Sequence, residues 1–190
     1  KICHQLDGIP LAIELAAARV KMLSPQQIAA RLDRCFDLLT VGSRTALPRH
    51  QTLRATMDWS YQLLAEGERV LLDRLSVFAG SFSIETVEQV CAEKDESEGK
   101  IHPSMILDLL SNLIDKSLVV VEQKDAETRY RLLETVRQYA RGKLLESGES
   151  ERVRDKHLEY FLKLVEEAGL KLPGASHLTW LTRLETEHDN

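Results

Sequence analysis

The side chains of this sequence best suited to hold a phosphate group are basic residues near two short β-branched segments. Lys124 directly follows the segment SLVVVEQ, and Arg129 and Arg131 lie within the segment TRYRLLE. The helix-forming segment before them, HPSMILDLLSNLIDKS, contributes Asn112 and Lys116. Arg and Lys bind phosphate oxygens, and Asn reads adenine edges in the major groove of DNA. These five residues are therefore candidate contacts to DNA.

The charges around these candidates argue against a strong attraction to DNA. Asp108 and Asp115 lie on the same predicted helix as Asn112, where phosphate would repel them. The whole chain has a formal net charge of −5, so its overall charge does not attract a polyanion. Solvated charge pairs explain the basic residues at least as well, and DNA binding is therefore kept as the alternative hypothesis.

The residue patterns of the common catalytic and metal sites do not occur in this sequence. A phosphate loop needs glycines followed by Lys and Ser or Thr, and the nearest segment, VGSRTA (residues 41–46), lacks the Lys. The histidines are scattered, and no Ser/His/Asp or Cys/His arrangement rises above chance. We therefore expect no enzyme activity, no catalytic residue, no metal site and no cofactor in this region alone.

The composition is typical of a folded protein. Of 190 residues, 43% are hydrophobic and 29% are charged. No apolar run reaches the roughly 18 residues of a membrane span. The three cysteines are far apart and odd in number, which favours reduced, mostly buried thiols. We therefore expect a cytoplasmic protein without a membrane partner.

The first 50 residues predict two helices and a linker. A mostly apolar segment over residues 10–20 predicts one helix, and the capping-box pattern SPQQ (residues 24–27) predicts the start of the next. Two helices rarely bury enough surface to fold alone, so residues 1–40 are interpreted as a helical subdomain that packs on another part. Residues 41–50 lack periodicity and are interpreted as a linker.

Residues 51–148 have the element order of a winged helix. Helical periodicity comes first, and IETVEQVCA and SMILDLLSNLIDKS predict two further helices. The segments SLVVVEQ and TRYRLLE, separated by KDAE, predict a two-stranded hairpin. Helices followed by such a hairpin are typical of a winged helix-turn-helix. One more helix, TVRQYARGKLLESG, ends this part at Gly148.

Residues 149–190 predict two amphipathic helices joined by the short segment KLPGAS. Such an antiparallel pair is the unit of helical-repeat arrays. The predicted fold class is therefore mainly α: a small helical bundle, a winged helix-turn-helix with a two-stranded wing, and a TPR-like helical pair.

Several of these segments, in this order, carry a resemblance to a known family. LDGIPLAIELAAARV (residues 6–20), TLRATMDWSYQLL (52–64) and RYRLLETVRQYA (129–140) are similar to the helical subdomain and winged helix of NB-ARC-type ATPases. These belong to the STAND class of signalling nucleotidases, which includes bacterial ATPases and LuxR- or AfsR-type transcriptional regulators. The resemblance covers nearly the whole chain.

The resemblance implies a role for the segment around Gly8 and Pro10. In the family, a P-loop domain precedes this region and binds ADP or ATP with Mg²⁺, and the matching proline packs on the adenine. A Met-His-Asp motif, whose His reaches the nucleotide phosphate, falls here on residues 132–134, where the His is missing. Either this phosphate contact is absent here, or another residue, Arg129 or Arg131, makes it in the intact parent protein.

Two functional hypotheses result. The preferred one is a nucleotide-dependent switch, in which this region closes over ADP or ATP bound to a P-loop domain of the same parent chain. Its further partners would be a helical-repeat sensor in that chain and other copies of the protein during activation. The alternative is a DNA-binding winged-helix domain of a transcriptional regulator.

Overall fold

The structure is a computed structural model, and its description covers most of the chain. The described residues are 2–6, 8, 13, 16–17, 20, 23–30, 54, 57–93, 101–124, 127–171 and 177–190. Most of them are helical, and a two-stranded antiparallel sheet accompanies the helices. The predicted fold class, mainly α with a winged helix and a two-stranded wing, is confirmed.

Two short helices come from the first 30 residues, α1 at Ile2–Gln5 and α2 at Pro25–Ala29. The predicted capping box is present, because the Gln27 backbone N–H donates to Ser24 Oγ at 3.2 Å and the Ser24 N–H donates to Gln27 Oε1 at 3.0 Å. Residues 13, 16 and 17 are helical. The rest of the helix predicted for 10–20 lies mostly outside the described residues, as does the linker at 41–50.

The winged helix is built from three helices and a hairpin, preceded by a helical stretch at residues 57–62. Its helices are α3 at Glu66–Leu75, α4 at Ile84–Cys91 and α5 at Ile106–Asp115, which a 3₁₀ turn at Pro103–Met105 precedes. The strands are β1 at Val119–Lys124 and β2 at Glu127–Leu132. The order predicted from the sequence is therefore confirmed.

The core lies where α3 meets the other helices and the hairpin. Leu71, Leu72 and Leu75 of α3 are almost completely buried, and each such leucine contributes roughly 1.5–3 kcal/mol of transfer free energy. Between α3 and α4 the chain forms a single β-bridge, in which Phe82 and Tyr130 exchange backbone hydrogen bonds of 2.8 and 2.9 Å. This bridge ties α3 and α4 to β2.

Three helices follow the hairpin, α6 at Glu134–Glu146, α7 at Ser150–Lys171 and α8 at His177–Thr186. Helix α6 packs on α3, whereas α7 packs on α4 and α8. Leu164 and Ala168 of α7 form a small core with Trp180 of α8. The two helices form the predicted pair, while the repeat array and the proposed domain boundaries remain predictions.

Cys91 is buried, as expected, and burial raises the pKa of its thiol to about 12. The expectation was wrong for Cys3, which is exposed. Near Cys3, Leu6 is buried just after the end of α1. Cys35 lies outside the described residues.

A buried arginine joins α3 to the junction between α6 and α7. The Arg74 side chain is 3% exposed and donates to the Cys91 carbonyl at 2.7 Å, to Glu93 at 2.9 Å and to Glu149 at 2.9 Å. Arg152 of α7 pairs with the same two glutamates. These bonds fix the start of α7 against the ends of α3 and α4.

We predict that Arg74→Ala lowers the free energy of unfolding by about 3 kcal/mol, because Glu93 loses a partner in the interior. Urea denaturation followed by circular dichroism measures the change. Arg154→Ala, which removes an exposed arginine of α7, is the matched control and should change stability by less than about 0.5 kcal/mol. Equal losses in the two variants would contradict a structural role for this network.

Asp73 is a second buried charge on α3. Its Oδ2 accepts a 2.7 Å hydrogen bond from the Tyr61 hydroxyl, while its Oδ1 is buried without a hydrogen-bond partner among the described residues. Burial raises the pKa of Asp73 to about 7, although the bond from Tyr61 and the charge of Lys143 lower it. The carboxylates of Glu146 and Glu149 raise it further. The folded protein therefore binds a proton that the unfolded chain releases.

We predict that stability falls between pH 4 and 8 because of Asp73. The stabilisation is complete below the ordinary pKa of 3.8 and is lost as pH rises through about 7. Asp73→Asn, which cannot ionise, should remove this part of the pH dependence, which amounts to at most about 4 kcal/mol. Urea denaturation at several pH values measures it, with the exposed Asp115→Asn as control. An unchanged pH profile in Asp73→Asn would contradict the assignment.

Candidate nucleic-acid interface

Helix α5 occupies the position of the recognition helix in a winged helix-turn-helix. It buries Ile106, Leu110 and Leu113 in the core. Its exposed side carries Leu107, which is 59% exposed, together with Met105 just before the helix and the polar residues Asp108, Ser111, Asn112 and Asp115. This face is acidic and partly apolar, as the sequence predicted for its two aspartates. It is therefore poorly suited to approach the phosphates that border a DNA groove.

Lys116, one of the two DNA contacts predicted at this helix, pairs with Glu68 of α3. Its Nζ lies 2.5 Å from Glu68 Oε2, while Asn112 is exposed. Glu68 accepts a second bond, at 2.8 Å, from the Ala65 backbone N–H at the start of α3. Burial raises the pKa of Glu68, but the bonds from Lys116 and the Ala65 N–H, with a smaller contribution from Asn112, outweigh burial and lower it. The carboxylate is thus charged and neutralises Lys116.

The hairpin carries the three predicted contacts of the wing. In the antiparallel register Glu122 lies opposite Arg129. Arg131, two residues further along β2, forms an ion pair with Glu122 and remains 35% exposed. Lys124 ends β1, and its side chain lies outside the described residues.

Arg129 does not lie on an open wing surface, and its role as a contact to DNA or nucleotide stays a prediction. Its side chain is only 3% exposed, and Nη1 lies 2.8 Å from Glu187, just beyond α8. Nε donates to Ser81 Oγ at 2.9 Å, and Nη2 donates to the Ser81 carbonyl at 2.7 Å. The sequence analysis missed Glu187 and Ser81, because both are distant in sequence and no local pattern marks such a pairing.

A polar cleft of about 620 Å³ lies beside this ion pair, between α4, β2, α7 and α8. Arg129 and Arg183 supply positive charge to its walls, whereas Glu85, Glu127 and Glu187 supply negative charge. The hydroxyl groups in its walls belong to Ser83, Thr86, Tyr160, Thr179, Thr182 and Thr186. The cleft can accept a polar group next to the guanidinium of Arg129.

The residues predicted to contact a nucleotide are only partly described. Gly8 is exposed and has a φ of +68°, which glycine adopts readily. Pro10 lies outside the described residues, so its expected contact with adenine remains a prediction for the parent protein. Arg129 and Arg131 are paired with carboxylates, as described above.

Among the described residues, no group of three or more His, Cys, Asp or Glu side chains is arranged to hold a metal ion. None of the helices in the described part of the chain is long and apolar enough to cross a membrane.

Comparison with known proteins identifies the central part of the chain. The family described as "Winged helix-turn-helix domain" matches residues 64–145, which run from just before α3 nearly to the end of α6. No solved structure matches the chain significantly.

The full length of the chain aligns with longer mycobacterial proteins. It is 49% identical over 191 aligned residues to proteins of Mycobacterium bovis and Mycobacterium tuberculosis that bear the name "Putative HTH-type transcriptional regulator". The alignment covers 100% of this chain but 21% of those relatives, so the chain spans about a fifth of their length. An "Uncharacterized protein" of Mycobacterium tuberculosis is 47% identical over 153 residues, covering 80% of this chain and 38% of that protein.

These matches agree with the three helices, the bridge at Phe82 and the antiparallel hairpin. They contain no sign of an NB-ARC or STAND module, which remains only a resemblance. Residues 64–145 form a winged helix-turn-helix domain, and the chain as a whole is similar to HTH-type transcriptional regulators.

Proposed function

We propose that this chain is the winged-helix part of a larger transcriptional regulator, and that it contacts DNA mainly through phosphate groups. The observation that carries the proposal is the match of residues 64–145 to the winged helix-turn-helix family, together with the hairpin wing. The names of the relatives support the same class of function. We therefore place DNA binding, the alternative in the sequence analysis, ahead of the nucleotide switch.

The charges of the domain determine what kind of DNA contact is expected. Lys116, Arg129 and Arg131 are paired with Glu68, Glu187 and Glu122 in that order. A cation that already has a carboxylate partner gains less from a phosphate and releases fewer counterions from DNA. Binding by this chain alone should therefore be weak and salt-sensitive.

The exposed face of α5 limits sequence reading in the same way. Asp108 and Asp115 are both exposed there, and Asn112 is the amide available for a base edge. These two carboxylates repel the phosphates that flank such a base edge. We accordingly expect Arg131 and Lys124 of the wing to contribute to DNA affinity, and α5 to contribute little to sequence preference.

The nucleotide switch remains a prediction for the parent protein. It rests on the resemblance of the segment around Gly8 and Pro10, and on the expectation that ADP or ATP with Mg²⁺ is held by a P-loop domain of that protein. The family match and the names of the relatives refer to helix-turn-helix regulators and not to nucleotides.

We predict that the chain binds a duplex DNA of mixed sequence at low salt, and that its affinity for this DNA falls steeply as the salt concentration rises. Fluorescence anisotropy with a labelled duplex measures the affinity at several salt concentrations. Arg131→Ala should weaken binding and reduce the slope of log affinity against log salt by about one. Lys163→Ala removes one positive charge from the exposed surface of α7 and serves as the control.

Two results would contradict this function. One is the absence of salt-sensitive binding by the wild-type chain even at low salt. The other is equal weakening by Arg131→Ala and Lys163→Ala, since this would mean that general charge, and not the wing, attracts the DNA.

A further inference from the structure

The ion pair between Arg129 and Glu187 differs from the other pairs of the predicted DNA contacts. Lys116 and Arg131 pair with carboxylates of the winged-helix domain itself, on α3 and β1. Arg129 also lies 3.9 Å from Glu127 of its own strand, but its shorter ion pair, at 2.8 Å, is with Glu187. Glu187 belongs to the turn after α8, outside the domain that the family match covers. The charge of the wing is therefore tied to the position of a separate helix.

The turn at residues 187–190 is docked closely on the segment between α3 and α4. The Asn190 side-chain carbonyl accepts from the Gly80 N–H at 3.0 Å, and its amide donates to the Ser81 carbonyl at 2.8 Å and to Glu187 Oε2 at 2.9 Å. A Cβ at Gly80 would lie 2.9 Å from Asp189 Cβ, so this approach requires a glycine there. These contacts hold Glu187 in place against Arg129.

The pairing also decides whether Arg129 can act on a ligand. Both side chains are nearly buried, Arg129 at 3% and Glu187 at 9% exposure, so solvent screens their attraction only weakly. Arg129 nevertheless lines the 620 Å³ cleft, beside Arg183 and the α4 cap residue Ser83. If Glu187 moved away, the guanidinium would face this cleft with the exposed Glu127, 3.9 Å from Nη1, as its remaining carboxylate partner.

We infer that the turn at residues 187–190 is an intramolecular latch, which neutralises Arg129 and withholds it from a DNA phosphate until α8 moves away. The inference rests on the proposed DNA-binding function and adds its regulation. An event that displaces α8 would raise DNA affinity to the extent that it favours the released arrangement over the docked one. The latch thus connects the helical pair α7–α8 to the wing.

Glu187→Gln tests the latch, because it removes the negative charge and keeps the shape of the side chain. Glu185→Gln is the matched control, since Glu185 is exposed on α8, two residues before Glu187, and loses the same charge. At low salt, Glu187→Gln should bind a labelled mixed-sequence duplex about threefold to tenfold more tightly than the control, with a steeper salt dependence. Combining it with Arg129→Gln should remove the gain.

A second variant separates release of the turn from the change in charge. Asn190→Ala leaves every charge in place but removes the bonds to Gly80 and Ser81. It should increase DNA affinity by a smaller factor and speed amide hydrogen exchange in β2 and α8, while circular dichroism at 222 nm stays unchanged.

The outcomes distinguish the latch from the function on which it rests. If the wild-type chain binds DNA but Glu187→Gln matches Glu185→Gln, the latch is overturned and the function stands. A gain that persists in the Arg129→Gln double variant also overturns it, because the released charge would then not belong to Arg129. If no protein in the series binds DNA with salt sensitivity, the proposed function and the latch both fail.

Discussion

Helix α3 is buried on almost every side, and its buried charges must each find a partner. Glu68, Asp73 and Arg74 are all less than 8% exposed, which is costly for an ionisable group without a bond. Glu68 pairs with Lys116 just after α5, and Asp73 bonds to Tyr61 in the preceding helical stretch. Arg74 bonds to Glu149, which directly precedes α7. These bonds hold the neighbours of α3 at defined positions. The bridge between Phe82 and Tyr130 holds the wing against them.

The pairing of charged side chains within the domain also determines the electrostatic potential that DNA would meet. A carboxylate that stabilises a buried or half-buried cation also cancels the charge that would otherwise attract phosphate. The winged-helix fold therefore does not by itself imply a basic surface. In this domain Lys116, Arg129 and Arg131 each already pair with a carboxylate, and their contribution to DNA affinity depends on whether these partners stay in place.

The relation between the helical pair and the wing gives the fold a regulatory character that a winged helix alone lacks. Helix α7 is fixed to the core by the Arg74 network, whereas α8 touches the wing through the turn that follows it. A displacement of α8 would therefore change the charge at Arg129 without disturbing α3. The relatives are about five times as long as this chain.

The sequence by itself determined the elements of the winged helix, because helical periodicity and the β-branched hairpin segments are local patterns. The Ser24 capping box that begins α2 is a local pattern of the same kind. It also located the acidic face of α5, since Asp108 and Asp115 lie within one amphipathic helix. Only the tertiary structure decided which charges remain available. Arg129 meets Glu187 and Lys116 meets Glu68, through contacts between residues far apart in sequence. Periodicity records which side of a helix is buried, but it does not record which distant group the fold brings to that side.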